Sequence, residues 1–224
     1  MIETNQQYVN WFRHSAPYIN AHRGRTFVIY LPGEALAHDN FAHTIHDINL
    51  LNSLGVKLVL VHGSRPQIQQ ACEKAKMDSQ FHNGLRITDL EQLSLVQATV
   101  GRQAMQLEAR FSMGLANSPM QGSRIRTSRG NFITARPIGV KNGVDFSYTG
   151  EVRRVDSAAI GKQLNDGNLV LISCLGYSPT GETFNLAAAQ VAGRVAASLQ
   201  ADKLIIFGAD KGITNSRGEQ VIEL

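Results

Sequence analysis

One stretch of the sequence, from Val56 to Ile68, constrains the fold more than any other. It begins with a continuous apolar run that ends at Val61, as is typical of a strand buried on both faces of a sheet. A turn follows at Gly63, and the chain then enters a helix. Such a turn points the free N–H groups of the helix towards an anion. A phosphate loop would have more glycine where Ser64 and Arg65 stand, so the match to such a loop is partial.

Strand-like and helix-like segments alternate along most of the chain, which predicts an α/β fold with an open, mainly parallel sheet sandwiched by helices. Continuous β-rich runs predict buried strands at residues 26–31, 57–61, 168–175 and 203–207. Helical spacing of apolar residues predicts helices at residues 6–21, 40–54, 66–76, 88–111, 156–164 and 186–199. Glycine, arginine and β-branched residues alternate in three further segments and predict an added β-meander at residues 123–127, 131–137 and 143–155.

Three polar residues predict where helices begin. Thr88 with Glu91 three positions later forms a capping-box pattern. Asp156 and Asn185 each precede an apolar run at helical spacing, which is typical of an N-cap. Pro17 is expected to kink or shorten the end of the first helix.

Composition excludes several classes of protein. The chain has 224 residues, of which 43% are hydrophobic, so it can bury a sizeable core. Its two cysteines lie far apart without a CxxC motif, which argues against a disulfide framework and favours a reducing cytosol. No apolar run approaches the length of a membrane span. We therefore expect a cytoplasmic protein, and the net charge of +4 decides little about its partners.

Glycines mark the expected ligand edge of the sheet. In a parallel sheet, ligands bind beyond the carboxyl ends of the strands. The loops there contain Gly33, Gly63, Gly176 and Gly208. Any one of these glycines could simply allow a tight turn, but together they predict a ligand cleft.

Other polar residues give weaker signals. Arg86 stands just before a predicted helix, where a guanidinium could hold a carboxylate in bidentate fashion. His43 and His46 lie three positions apart, but no further ligand has convincing spacing, so no metal site is predicted. The densest basic cluster could contact nucleic acid or the phosphates of coenzyme A, or could be the solvated face of a β-ribbon. The ribbon is favoured because few aromatic residues accompany the cluster, which consists of Arg124, Arg126, Arg129 and Arg136.

These motifs, in this order, resemble the amino-acid kinase family from Thr26 to Leu224. The resemblance is closest to acetylglutamate kinase and to the kinase-like domain of bacterial N-acetylglutamate synthases. The segments that carry it are residues 27–33, 62–68, 84–89 and 184–189. The resemblance implies a vestigial carboxylate site formed by Arg86, Asn185, Gly63, Ser64, Arg65 and Gly33.

The chain departs from the kinases at three positions. Tyr30 stands where the kinases have a lysine for the transferred phosphate, and Ala189 stands where they have an aspartate that organises the active-site lysines. Ala187 replaces a substrate-binding asparagine. Phosphoryl transfer depends on positioned positive charge and preorganised donors. The resemblance therefore implies that the kinase chemistry is lost, and no catalytic residue is assigned.

The N-terminal helix also acquires a role from the resemblance. In arginine-sensitive relatives such a helix links dimers into a hexameric ring and lines the arginine site. Tyr8, Trp11 and Phe12 resemble it in position and aromatic character. We therefore expect residues 1–22 to form an assembly helix, residues 23–224 to form a kinase-like domain, and L-arginine to be an effector. The alternative is a helix packed against its own domain.

The leading hypothesis is the arginine-responsive regulatory domain of an N-acetylglutamate synthase, which makes N-acetyl-L-glutamate from acetyl-CoA and L-glutamate in the first step of arginine biosynthesis. On this hypothesis acetyl-CoA binds to a separate C-terminal domain, and these 224 residues hold no cofactor and are inactive alone. The chain stops in mid-pattern within a predicted hairpin, residues 212–224, which suggests a longer protein. An active acetylglutamate kinase and a nucleic-acid-binding module stay open as alternatives.

Overall fold

The computed structural model describes residues 2–113, 125–208 and 212, with only the backbone described for residues 2–5. Helices in these ranges are α1 (Ile2–His22), α2 (Gly33–Leu36), α3 (Phe41–Ser53), α4 (Arg65–Lys74), α5 (Leu90–Ser112), α6 (Ser157–Asn165) and α7 (Ala188–Leu199). Strands in these ranges are β1 (Thr26–Leu31), β2 (Lys57–His62), β3 (Phe81–His82), β4 (Leu85–Arg86), β5 (Thr127–Ser128), β6 (Ile133–Pro137), β7 (Val140–Lys141), β8 (Val144–Asp145), β9 (Gly150–Val155), β10 (Leu169–Ile172), β11 (Leu175–Tyr177), β12 (Thr183–Asn185) and β13 (Lys203–Ile206).

The main sheet is parallel throughout and has the strand order β13-β1-β2-β10-β5. Side chains alternate between its two faces. Ile29 and Leu60 enter one core with residues of α3 and α5, while Val28 and Val59 enter a second core with residues of α6 and α7. The two-sided burial explains why these strands are apolar without alternation, and it confirms the predicted fold class.

The region predicted as a β-meander has a different pairing. β5 joins the edge of the main sheet, whereas β6 and β9 pair antiparallel in a second sheet of order β12-β11-β6-β9. β11 lies parallel to β6, so this sheet recruits strands from later in the chain. Local sequence predicts the β character of these segments, but their partners lie up to 43 positions away, as in the pairing of Thr134 with Tyr177. Ser123 and Arg124 lie outside the described residues.

Two of the three predicted helix starts are wrong. The Asp156 carboxylate accepts a hydrogen bond from the Ala159 amide at 3.0 Å, which confirms that cap. α5, however, is capped by Asp89 and not by Thr88, whose side chain is buried. Asn185 ends β12 instead of capping a helix, and α7 begins only at Ala188.

No residue of α1 whose side chain is described is buried. The helix continues through Pro17 to His22, so the proline does not shorten it. The His22 ring packs edge-on against Phe27 with centroids 5.3 Å apart, while the Trp11 side chain is 68% exposed.

The described helices include none that is long and apolar enough to cross a membrane. Apart from Gly212, the predicted C-terminal hairpin lies outside the described residues.

Two glycine substitutions should change stability in opposite directions. A Cβ at Gly150 would stand 2.7 Å from both the Arg136 carbonyl oxygen and the Phe184 Cβ, so Gly150→Ala should lower the free energy of unfolding by about 1–3 kcal/mol. Gly161 lies inside α6 with open space around it, so Gly161→Ala should raise that free energy by about 0.5–1 kcal/mol. Urea unfolding of both variants measures the difference, and equal effects would contradict the packing described at Gly150.

Candidate anion-binding site

A cavity of about 280 Å³ lies at the carboxyl ends of β1, β2 and β10. All six residues expected at a carboxylate site line it, namely Gly33, Gly63, Ser64, Arg65, Arg86 and Asn185. The three positions at which the chain departs from the kinases, Tyr30, Ala187 and Ala189, line it as well. The fold therefore brings together residues that are up to 159 positions apart in the sequence.

Two glycine loops form one wall of this cavity. A Cβ at Gly63 would lie 3.2 Å from the Gly33 amide nitrogen, so the loops approach too closely for an ordinary side chain. The Gln67 carboxamide holds them together by donating a hydrogen bond to the Gly33 carbonyl oxygen at 2.7 Å. A Cβ at Gly33 would overlap the Gln67 side-chain oxygen and lie 2.6 Å from Pro66 Cδ, so glycine is required there by the first turn of α4. At Gly63, glycine is favoured by the close approach of the two loops.

Two helices begin at the cavity without a side-chain cap. Ser64 precedes α4 and Ala187 precedes α7, and neither side chain bonds to the first turn of its helix. The Ser64 side chain is buried, and its hydroxyl has no nitrogen or oxygen partner among the described residues, although it lies near the Cys174 thiol. Uncapped N–H groups carry partial positive charge. Together with the Ser64 hydroxyl they form a set of donors suited to an anion.

Arg86 supplies a buried positive charge to the same cavity. Its guanidinium donates to the Gln69 side-chain oxygen at 2.9 Å and to the Ser79 hydroxyl, and it lies 4.7 Å from the centroid of the Phe81 ring. Burial lowers the pKa of Arg86 from its ordinary value. None of the described carboxylates forms an ion pair with it. A buried cation held only by neutral groups favours an anionic ligand.

A second guanidinium lies close to the first. The Arg65 guanidinium carbon is 5.1 Å from the centroid of the same Phe81 ring. The positive charge of Arg65 is near enough to contribute to the lowered pKa of Arg86. Two like charges beside one ring repel each other, and an anion between them would relieve the repulsion.

Sequence reasoning missed two residues that build the site. The Asn185 amide nitrogen donates to the Thr88 hydroxyl at 3.0 Å, and the hydroxyl oxygens of Thr88 and Thr149 are hydrogen-bonded at 3.0 Å. Thr149 also donates to the carbonyl oxygen of Arg86 at 2.5 Å. This chain of bonds ties β12 to the backbone that carries Arg86. No local pattern indicates it, because Thr88 and Thr149 are 61 positions apart.

The remaining predicted residues lie elsewhere. Tyr8, Trp11 and Phe12 lie on the exposed surface of α1 and do not line the cavity. His43 and His46 have ring centroids 6.3 Å apart, and the described residues contain no group of three or more ligands placed for a metal ion.

The predicted basic cluster is partly neutralised. Arg129 pairs with Glu108 at 2.9 Å, and Arg136 pairs with Glu151 at 2.6 Å. Arg124 lies outside the described residues. Arginines already paired with carboxylates are poor phosphate ligands, so the geometry gives little support to a nucleic-acid surface.

The chain belongs to the amino acid kinase family, whose model matches residues 25–223. It is 57% identical over 217 residues to an amino-acid acetyltransferase from Ectopseudomonas mendocina and 55% identical over 219 residues to one from Azotobacter vinelandii. The alignments cover 97% and 98% of this chain but 50% and 51% of those relatives. The chain therefore spans about half the length of the curated relatives it matches.

Solved structures agree with these relatives and confirm the predicted resemblance. N-acetylglutamate synthase from Neisseria gonorrhoeae, complexed with coenzyme A and L-arginine, superposes with a TM-score of 0.86 at 37% identity. The match covers 95% of this chain and 50% of that one. Carbamate kinase from Giardia lamblia, at 13% identity and a TM-score of 0.53, shares the fold alone.

One buried group near the glycine loops should make stability depend on pH. His62 ends β2 and is fully buried, and burial lowers its pKa from 6.5 to about 4. The folded state therefore disfavours the protonated ring. The stability that this group contributes is complete above pH 6.5 and is lost as the pH falls towards 4.

We expect the loss from His62 to reach about 3 kcal/mol between pH 6.5 and pH 4. In the His62→Leu variant this component should be absent, so its unfolding free energy should vary less with pH. Urea unfolding at several pH values measures both proteins. A constant difference between the two across this range would contradict the buried neutral histidine.

Proposed function

We propose that this chain is the kinase-like regulatory part of an N-acetylglutamate synthase, a protein that acetylates L-glutamate with acetyl-CoA in arginine biosynthesis. In this role the domain assembles with further copies of itself, responds to L-arginine and transfers no phosphate. One observation carries the proposal. The cavity keeps its glycine loops and its buried Arg86, yet Tyr30 and Ala189 line it where the kinases that it resembles have a lysine and an aspartate.

Tyr30 and Ala189 do not provide what phosphoryl transfer requires. A kinase neutralises the charge of the transferred group with positioned cations. Tyr30 supplies no positive charge in either protonation state, and burial and the negative charge of Glu34 raise the pKa of its hydroxyl from the ordinary value, which favours the neutral form. Ala189 has no group that could orient a cation. Lysine and aspartate are absent from the described lining of the cavity.

The cavity instead supports binding without turnover. Arg86, the Ser64 hydroxyl and two uncapped helix N-termini are donors for a carboxylate. Its volume, about 280 Å³, is close to the lower end of the range for ligand pockets, which suits a metabolite of amino-acid size. We therefore assign it a small carboxylate ligand that acts as an effector. Acetyl-CoA would bind to the other half of the synthase.

The comparisons support the choice of parent protein. The relatives at 55–57% identity are amino-acid acetyltransferases, and the structure from Neisseria gonorrhoeae was solved with coenzyme A and L-arginine bound. Each match covers nearly all of this chain and half of the relative. This pattern of coverage agrees with a synthase in which the present chain forms one part and a different part carries out acetyl transfer.

α1 supports the assembly role. Its aromatic side chains Tyr8, Trp11 and Phe12 are between 62% and 68% exposed. Large aromatic residues on one exposed helix are costly in water and form strong anchors when a partner buries them. A further copy of the chain is the partner that we propose, with L-arginine changing the arrangement of the copies.

The kinase alternative is tested directly. When the chain is incubated with labelled ATP and N-acetyl-L-glutamate, we expect phosphoryl transfer no faster than in a protein-free control. An acetylglutamate kinase assayed in parallel shows that transfer would be detected. Transfer at a useful rate that disappears in the Arg86→Ala variant would overturn the regulatory proposal in favour of an active kinase.

Self-association through α1 is tested by substitution. Replacing Trp11 and Phe12 together by serine should weaken association at least tenfold, because a buried aromatic anchor typically contributes about 2 kcal/mol or more. Sedimentation velocity over a range of protein concentrations measures the effect. Val140→Ser is the matched control, since the Val140 side chain is 71% exposed but lies on β7.

The response to L-arginine can be measured by the fluorescence of Trp11, the only tryptophan of the chain. L-arginine should shift both the Trp11 emission and the sedimentation profile, whereas L-lysine at the same concentration should leave both unchanged. Full association of the serine variant, or equal behaviour with the two amino acids, would contradict the proposed role of α1.

A further inference from the structure

The charged side chains of the cavity do not cancel. Among the described residues that line it, Arg65 and Arg86 are positive and Glu34 is negative. The described lining therefore carries two positive groups and one negative group, a net charge of one positive unit. A ligand that matches this pattern carries two negative groups and one positive group.

Glu34 is available to a ligand. It stands in the first turn of α2, directly after β1, and its side chain is exposed to the cavity. Its carboxylate forms no hydrogen bond or ion pair with the side chains that the structure describes, and this includes Arg65 in the same cavity. A carboxylate that stays unpaired beside a guanidinium-lined cavity can still accept a cation.

Glu34 and Arg65 both lie near the Tyr30 hydroxyl. The charges of both side chains act on the Tyr30 hydroxyl, in opposite directions. That hydroxyl lies 3.5 Å from the place where a Cβ of Gly63 would stand, so it sits at the junction of the two glycine loops. Of the three charged residues in the lining, Glu34 and Arg65 are exposed, whereas Arg86 is buried.

We infer that the cavity takes an amino dicarboxylate with a free ammonium group. One carboxylate lies against Arg86 and the Ser64 hydroxyl, the other lies against Arg65, and the ammonium group lies against Glu34. The two guanidinium carbons are less than about 10 Å apart, since both lie beside the Phe81 ring. A five-carbon diacid can bridge that spacing. This inference rests on the carboxylate site of the proposed function and names the chemical class of its ligand.

Acylation of the amino group would remove the fit. An N-acylated dicarboxylate carries two negative charges and no positive charge, so Glu34 would face a neutral amide instead of an ammonium group. An ammonium group offers three donors to a carboxylate, and charge-assisted hydrogen bonds are about twice as strong as neutral ones. The free amino acid should therefore bind more tightly than its acylated form or its deaminated analogue.

Calorimetric titration of the chain with three probes tests the inference. L-glutamate should bind about 10-fold to 100-fold more tightly than glutarate, which lacks the amino group, and than N-acetyl-L-glutamate. In the Glu34→Gln variant this preference should fall to near unity, while glutarate should bind at least as tightly as before. Glu91→Gln, an exposed substitution outside the cavity, is the control and should keep the preference. Circular dichroism confirms that both variants are folded.

Each other outcome has a definite meaning. Equal binding of L-glutamate and glutarate, or a preference that survives Glu34→Gln, would overturn the amino-dicarboxylate inference and leave the carboxylate site standing. Tighter binding of N-acetyl-L-glutamate than of L-glutamate would overturn it as well. If none of the three probes binds, the carboxylate site of the proposed function fails together with this inference.

Discussion

The parallel pairing of β1 with β2 brings two glycine loops to one edge of the sheet. Both strands are apolar on both faces, so helices cover them on each side and the loops emerge only at the edge. Gly33 and Gly63 then approach closely enough that neither loop has room for an ordinary side chain at that point. The start of α4 follows at once. The position of the cavity, and of the glycine loops that form one wall of it, depends on this pairing.

A positive charge without an acidic partner among the described residues gives the site its character. Arg86 is held by a ring, an amide and a hydroxyl, and the Thr88–Thr149–Asn185 network fixes the backbone around it. Binding an anion needs this arrangement, whereas phosphoryl transfer needs further cations and a group to organise them. The scaffold can therefore persist while the chemistry is lost. Regulation by a bound metabolite requires only the arrangement that binds an anion.

Much of the fold could be predicted from the sequence. Continuous apolar strands, helical spacing and the Asp156 cap are local signals, and the structure agrees with each of them. Thr88 and Asn185 were misassigned as helix caps because each has a cap-like sequence context while its side chain bonds to a distant residue. The sequence predicts the second sheet only as a local meander, because the pattern of a strand does not show which distant strand it pairs with. In this sheet β6 and β9 pair with each other within the predicted meander, but β6 also pairs with β11, 43 positions further along the chain.

The sequence by itself determined the class of fold, the family and six of the residues that line the cavity, because strand pattern, loop glycines and motif order are properties of neighbouring residues. Only the tertiary structure decided how those residues act together. It buried Arg86 without a carboxylate, placed Glu34 unpaired in the same cavity and left the aromatic side chains of α1 exposed. Charge compensation and burial depend on contacts between residues distant in the sequence, and no local pattern records them.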